Sequence, residues 1–165
     1  MQTQTKLDFY RNLKPVFNLT PEGYLSVIPN YEHRATITRL RISSHQLAIE
    51  TGRYEGLDRS ERLCVTCDMG VVDSEQHFLA SCSSINDERV SLRRSLRIQD
   101  QSVLLDATSV FSLTSAKPKD LDHAKTEHLH QICKIVHKMY EQKLKKLEKL
   151  KKENIKAEAE EPRAV

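Results

Sequence analysis

The chain has 165 residues, 38% of them hydrophobic, 30% charged and 5% aromatic, with a formal net charge of +3. That length suits one domain, and without Trp its core must come mostly from Leu, Ile and Val, thin enough for a bound metal to add needed stability. No segment approaches the ~18 continuous apolar residues of a membrane span, and Met1 to Thr5 lack the charged-then-apolar pattern of a secretory leader, so the expectation is an intracellular protein, nuclear or cytoplasmic, in a reducing compartment.

In chain order, residues 4–13 have the spacing of a short helix, with Leu7, Tyr10 and Arg11 on neighbouring turns. Thr20-Pro21-Glu22 reads as an N-cap, a Pro at the first helical position and an early acid, opening a helix from Gly23 to Ile28 that stops before Pro29. The next predicted helix runs from Asn30 as N-cap to Gly52 as C-cap. Ile37, Leu40, Ser44 and Leu47 form its buried stripe, and Arg34, Thr38, Arg41 and His45 form a basic stripe beside it. Residues 53–63 read as a charged loop, 83–97 as an Arg-rich helix, and 98–120 as mixed with a break near Lys117-Pro118.

From Leu121 to about Lys156 one long helix is expected, with Leu129, Ile132, Val136 and Tyr140 as its buried stripe. Beyond Tyr140 the pattern thins to Leu144, Leu147 and Leu150 amid Lys, so this end should extend into solvent. The predicted fold class is mainly α: a small helical domain over 1–120 with a zinc-knuckle-like element at 62–84, a long, partly exposed basic helix over 121–156, and a disordered tail over 157–165.

The chemistry concentrates in Cys64-x2-Cys67-x9-His77-x4-Cys82. Zinc takes four thiolate or imidazole ligands in a tetrahedron, and four Cys in a reducing compartment favour metal over disulfides. A CxxC alone is also compatible with small buried hydrophobes. A redox role is disfavoured because no βαβ pattern surrounds it. Asp73 or Ser74 should cap a short helix carrying His77. Residues five apart differ by ~140° on a helix, so Cys82 can join His77 only if that helix ends near Ala80–Ser81 and the chain folds back. Three thiolates and a neutral imidazole around one structural Zn2+ leave a net charge near −1, which Arg59 and Arg62 are placed in sequence to offset. With all four positions filled, none remains for a reactive water, and no catalytic role is expected for this metal. His130, Cys133 and His137, on successive turns of the long helix, read as a buried Cys flanked by surface His rather than a second site.

Several runs together carry a family resemblance: Tyr24-Leu25-Ser26-Val27-Ile28, His33-Arg34, the stretch from Arg39 to Tyr54, Arg62-Leu63-Cys64-x2-Cys67, and Asp73-x-Glu75-x-His77-Phe78-Leu79-x2-Cys82. Residues 6–97 resemble the C-terminal part of reverse transcriptases of animal non-LTR retrotransposons, which follows the polymerase and carries a CCHC zinc-knuckle-like element. The resemblance implies a ligand role for Cys64, Cys67, His77 and Cys82, and places the Arg-rich helix before them near RNA or DNA. No Tyr-x-Asp-Asp-type motif is present, nor room for a polymerase palm, so the resemblance implies a remnant or reused end without catalysis.

The nucleic-acid-binding candidates are Arg34, Arg39, Arg41, His45, Arg53 and Arg62, with Tyr54 and Phe78 as stacking candidates. No nucleophile motif or glycine-rich phosphate loop occurs, and no enzyme is expected. The expected function is a zinc-stabilised module binding RNA or DNA. The alternatives are a zinc-stabilised protein-interaction module using the long C-terminal helix, and a retroelement fragment without selected function.

Overall fold

A computed structural model describes residues 8–13, 21–100 and 103–160. Among these the regular secondary structure is helical apart from one isolated antiparallel bridge between Leu63 and Val72. The helices are α1 (Asp8–Leu13), α2 (Gly23–Val27), α3 (Tyr31–Arg41), α4 (Ala48–Tyr54), α5 (Glu75–Ala80), α6 (Asn86–Ser95), α7 (Ala107–Ser112) and α8 (His123–Glu160). The start of the first predicted helix (residues 4–7), the Thr20 cap and the end of the predicted tail (161–165) lie outside the described residues.

Helix α8 is the spine. It packs against both α3 and α6, burying Leu129, Ile132, Val136 and Tyr140 as their spacing predicts. Tyr140 sets its ring edge-on to Phe78, with centroids 6.0 Å apart, and its hydroxyl accepts the Gln46 backbone N–H at 3.0 Å. His130 and His137 are half-buried rather than on the surface. They bond to Val27 O (2.7 Å) and Thr36 Oγ1 (2.8 Å), tying α8 to α2 and α3, while Cys133 is buried between them. Helix α8 runs through Glu160, so residues 157–160 of the expected tail are helical.

The helix predicted from Asn30 to Gly52 is two helices. Asn30 does cap α3, accepting from His33 N at 3.1 Å. The chain then reverses at Ser43, whose φ of 51° is left-handed. Ser44 N bonds Arg39 O at 2.8 Å, six residues closing to one as in a Schellman cap, and the Ser43 hydroxyl donates to Glu75. Leu47 still reaches the core because the chain returns to it. Gly52 is an interior residue of α4, not its cap; a Cβ there would lie 2.7 Å from Arg62 Cγ, so glycine admits the Arg62 side chain. Helix α2 begins at Gly23 as expected and ends at Val27, with Glu22 as its N-cap residue.

The basic stripe predicted on this stretch folds inward at Arg41. Its side chain is 1% exposed and donates to Phe111 O (2.8 Å), Thr114 Oγ1 (2.5 Å) and Ser115 Oγ (3.0 Å), with Glu22 at 3.2 Å. It fastens α3 to α7 and the turn after it. Arg41→Ala takes the cation from Glu22 and the donors from these acceptors, and should cost about 3–5 kcal/mol of stability, read by urea denaturation.

Candidate metal centre

Residues 62–73 fold back on themselves. The Leu63–Val72 bridge is flanked by Cys64 N→Val71 O and Asp73 N→Arg62 O, both 2.9 Å, and the turn passes through Gly70 at φ 61°, where glycine carries no steric cost. This hairpin presents Cys64 and Cys67. Helix α5 presents His77. Ser74 caps it, accepting His77 N at 3.2 Å, and it ends at Ala80. The chain then turns back so that Cys82 N bonds His77 O at 2.9 Å, which is the reversal the ligand spacing demands.

The ligand atoms of Cys64, Cys67, His77 and Cys82 all lie within 4.8 Å of one another. The cluster can therefore hold a metal ion. Bond lengths of ~2.3 Å to sulfur and ~2.0 Å to nitrogen imply tetrahedral S···S edges of about 3.8 Å and S···N edges of about 3.5 Å. The Cys64–Cys82 sulfurs are 3.9 Å apart, and Cys67 Sγ lies 3.4 Å from His77 Nε2. His77 Nδ1 lies 2.9 Å from Ser81 Oγ, an outer hydrogen bond that turns Nε2 toward the sulfurs. Cys64, His77 and Cys82 are buried and Cys67 half-buried.

The surroundings suit thiolates. Thr66 Oγ1 lies 3.3 Å from Cys64 Sγ, and Ser84 Oγ 3.1 Å from Cys82 Sγ. The hydrogen bond from Cys64, joined by Ser84 and Lys143, holds the Cys82 thiol down at about 5, while the same bond and burial push Cys64 up. Arg89, itself buried, donates to the carbonyls of Leu79 (3.0 Å) and Cys82 and pins the chain behind the last ligand.

Lys143 and Asp73 complete the setting, and neither was expected there. Lys143 falls in the run assigned to solvent, yet its side chain is 0% exposed. Its ammonium lies 2.9 Å from Cys64 Sγ, 2.9 Å from Asp73 Oδ1 and 3.6 Å from Cys82 Sγ. Burial alone would lower its pKa, but Asp73 and Cys64 raise it instead. Asp73 does not cap α5; its other oxygen accepts Ala48 N at 3.1 Å, at the start of α4. The residues expected to balance the thiolates are elsewhere: Arg59 is exposed, and Arg62 bonds Ile49 O and Leu57 O. The signal for Lys143 was its register, since it follows Val136 and Tyr140 at helical spacing.

The nucleic-acid candidates do not form one face. Arg41 is internal, and His45 is buried with Nε2 2.9 Å from Glu75 Oε1. Arg34 donates to Ile28 O and Pro29 O, Arg62 to backbone carbonyls, and Arg53 pairs with Glu50 at 3.2 Å while stacking on exposed Tyr54. Arg39 is the exposed member of the set. Phe78 is buried in the core and unavailable for stacking.

Although burial pushes its pKa up, hydrogen bonds from His45 and Ser43 hold the Glu75 carboxyl below the ordinary range. Its ionised form therefore contributes stability that is present above about pH 4 and is lost as pH falls through the lowered value. The stability gap between wild type and Glu75→Gln should be largest near neutrality and shrink on acidification, measured by denaturant titration across pH. A gap independent of pH would contradict this role.

No family model, no curated protein and no solved structure matches this chain. Among the described residues, no helix is long and apolar enough to cross a membrane.

Proposed function

We propose that the chain is a zinc-stabilised, non-catalytic module that binds RNA or DNA. The observation carrying the zinc reading is the ligand set: three sulfurs and one imidazole nitrogen within 4.8 Å of one another, with the Cys64–Cys82 and Cys67–His77 separations at tetrahedral edge lengths and an outer hydrogen bond orienting the imidazole. Zinc is the usual resident metal of three thiolates and one imidazole in a closed tetrahedron. Four protein ligands leave no position for an activated water, which supports a structural role. Freshly purified protein should carry one zinc per chain by native mass spectrometry, and Cys64→Ser should carry none. A wild type that is zinc-free and takes up no added zinc contradicts the reading.

The nucleic-acid reading rests on exposed basic groups and on the resemblance to retrotransposon reverse transcriptases, from whose C-terminal end the chain would derive. With Arg41 and His45 inside the fold, phosphate binding falls to Arg39 and to the outer half of α8, where Lys145, Lys146, Lys149, Lys151 and Lys152 are exposed. Binding should weaken with salt, and Lys145→Ala, Lys149→Ala and Lys152→Ala together should flatten the slope of log K against log salt by about 0.9 for each duplex phosphate no longer neutralised. Equal slopes for wild type and variant would contradict it. One observation favours a protein partner instead: the same half of α8 carries exposed Ile155 and half-buried Leu147 and Leu150. Association insensitive to salt would favour that second reading.

A further inference from the structure

We propose that Lys143 is the fixed internal counter-ion of the metal centre, so that loading the metal and docking helix α8 are one event. The inference rests on the zinc reading and adds to it a positioning residue outside the four ligands. An ammonium has three N–H donors and no acceptor, and burying it is costly unless each donor is met. Here three acceptors surround Lys143 Nζ: Asp73 Oδ1 at 2.9 Å, Cys64 Sγ at 2.9 Å and Cys82 Sγ at 3.6 Å. Two of the three are metal-ligand sulfurs, which are full acceptors only as thiolates.

The coupling runs both ways. Three thiolates, a dication and a neutral imidazole leave one excess negative charge in a buried setting, and the ammonium is the nearest cation to two of those sulfurs. Asp73 fixes that ammonium while its second oxygen is satisfied by Ala48 N at 3.1 Å, so α4, the hairpin and α8 meet at one carboxylate. One turn further, Lys146 donates to the Ser84 carbonyl, and the Ser84 hydroxyl lies 3.1 Å from Cys82 Sγ. On the other flank Glu88, buried on α6, receives Lys138 at 3.4 Å and Gln142. Residues 138–146 therefore clasp the metal element along one side. Without the metal, nothing holds all three sulfurs together as a group of anions, and Asp73 is left as the main partner offsetting the burial of the ammonium.

The test uses the full chain loaded with cobalt, whose sulfur-to-metal charge-transfer bands report on the sulfurs. Lys143→Met keeps the length of the side chain and removes its charge and donors. It should weaken cobalt and zinc binding about 10–100-fold, the usual effect of removing an outer-shell partner, and move the charge-transfer band to lower energy. A side chain that only fills space would move neither, since burying Met in place of a charge is favourable. In parallel, amide exchange of wild type should show residues 138–146 losing protection when a chelator strips the metal. A wild type that takes up no cobalt overturns the zinc reading itself. A wild type that binds cobalt beside a Lys143→Met variant of equal affinity and unshifted band, or with unchanged exchange in 138–146 on chelation, overturns the inference alone.

Discussion

Three sulfurs brought within a few ångströms of one another repel as soon as they ionise, and that repulsion must be met before this chain can fold as described. The hairpin over 62–73, helix α5 and the return to Cys82 bring the sulfurs together but supply no cation. The cation comes from the far end of the sequence, as Lys143 on α8, and Asp73 holds it in place. On the zinc reading, a metal ion supplies the remaining positive charge. The local hairpin is too small to bury a core of its own, so it leans on the helix that lies against it and, on the zinc reading, on the ion.

From that junction the rest of the fold follows. Phe78, one residue after a ligand, packs edge-on against Tyr140, one turn before Lys143, so apolar and ionic contacts between α5 and α8 share one register. Glu75, at the first turn of the same short helix, is locked by His45 and Ser43 beyond the α3 reversal. Gln76 reaches the other way, donating to Leu105 O at 2.8 Å and accepting Ala107 N at 2.7 Å, which fastens α7. Six residues of α5 therefore carry one member of the Cys/His cluster and connect three other parts of the chain.

The Cys64, Cys67, His77 and Cys82 cluster was legible because its chemistry is carried by residue type at short spacing, and the end of α5 before Cys82 followed from helix geometry. The buried stripe of α8 was legible for the same reason, a period of 3.6 residues. The α3–α4 break was not, because Ser43 takes a left-handed conformation without the glycine or proline that would announce it. One of its side-chain partners, Glu75, is distant in sequence. Nor does helical spacing distinguish a basic side chain facing water from one facing buried acceptors, here a carbonyl, two hydroxyls and Glu22 for Arg41 and Glu75 for His45, which is how both entered a basic face that the fold does not have. Lys143 escaped for a different reason. Lysine in a lysine-rich run reads as solvated, and its acceptors lie 79 and 70 residues away, at Cys64 and Asp73.

The most direct measurement is X-ray absorption at the zinc edge on the metal-loaded chain in solution. Expected is a first shell of three sulfurs at about 2.3 Å and one nitrogen at about 2.0 Å, with no oxygen ligand. A shell dominated by oxygen and nitrogen, or one with fewer than three sulfurs, would contradict the closed site assigned to Cys64, Cys67, His77 and Cys82.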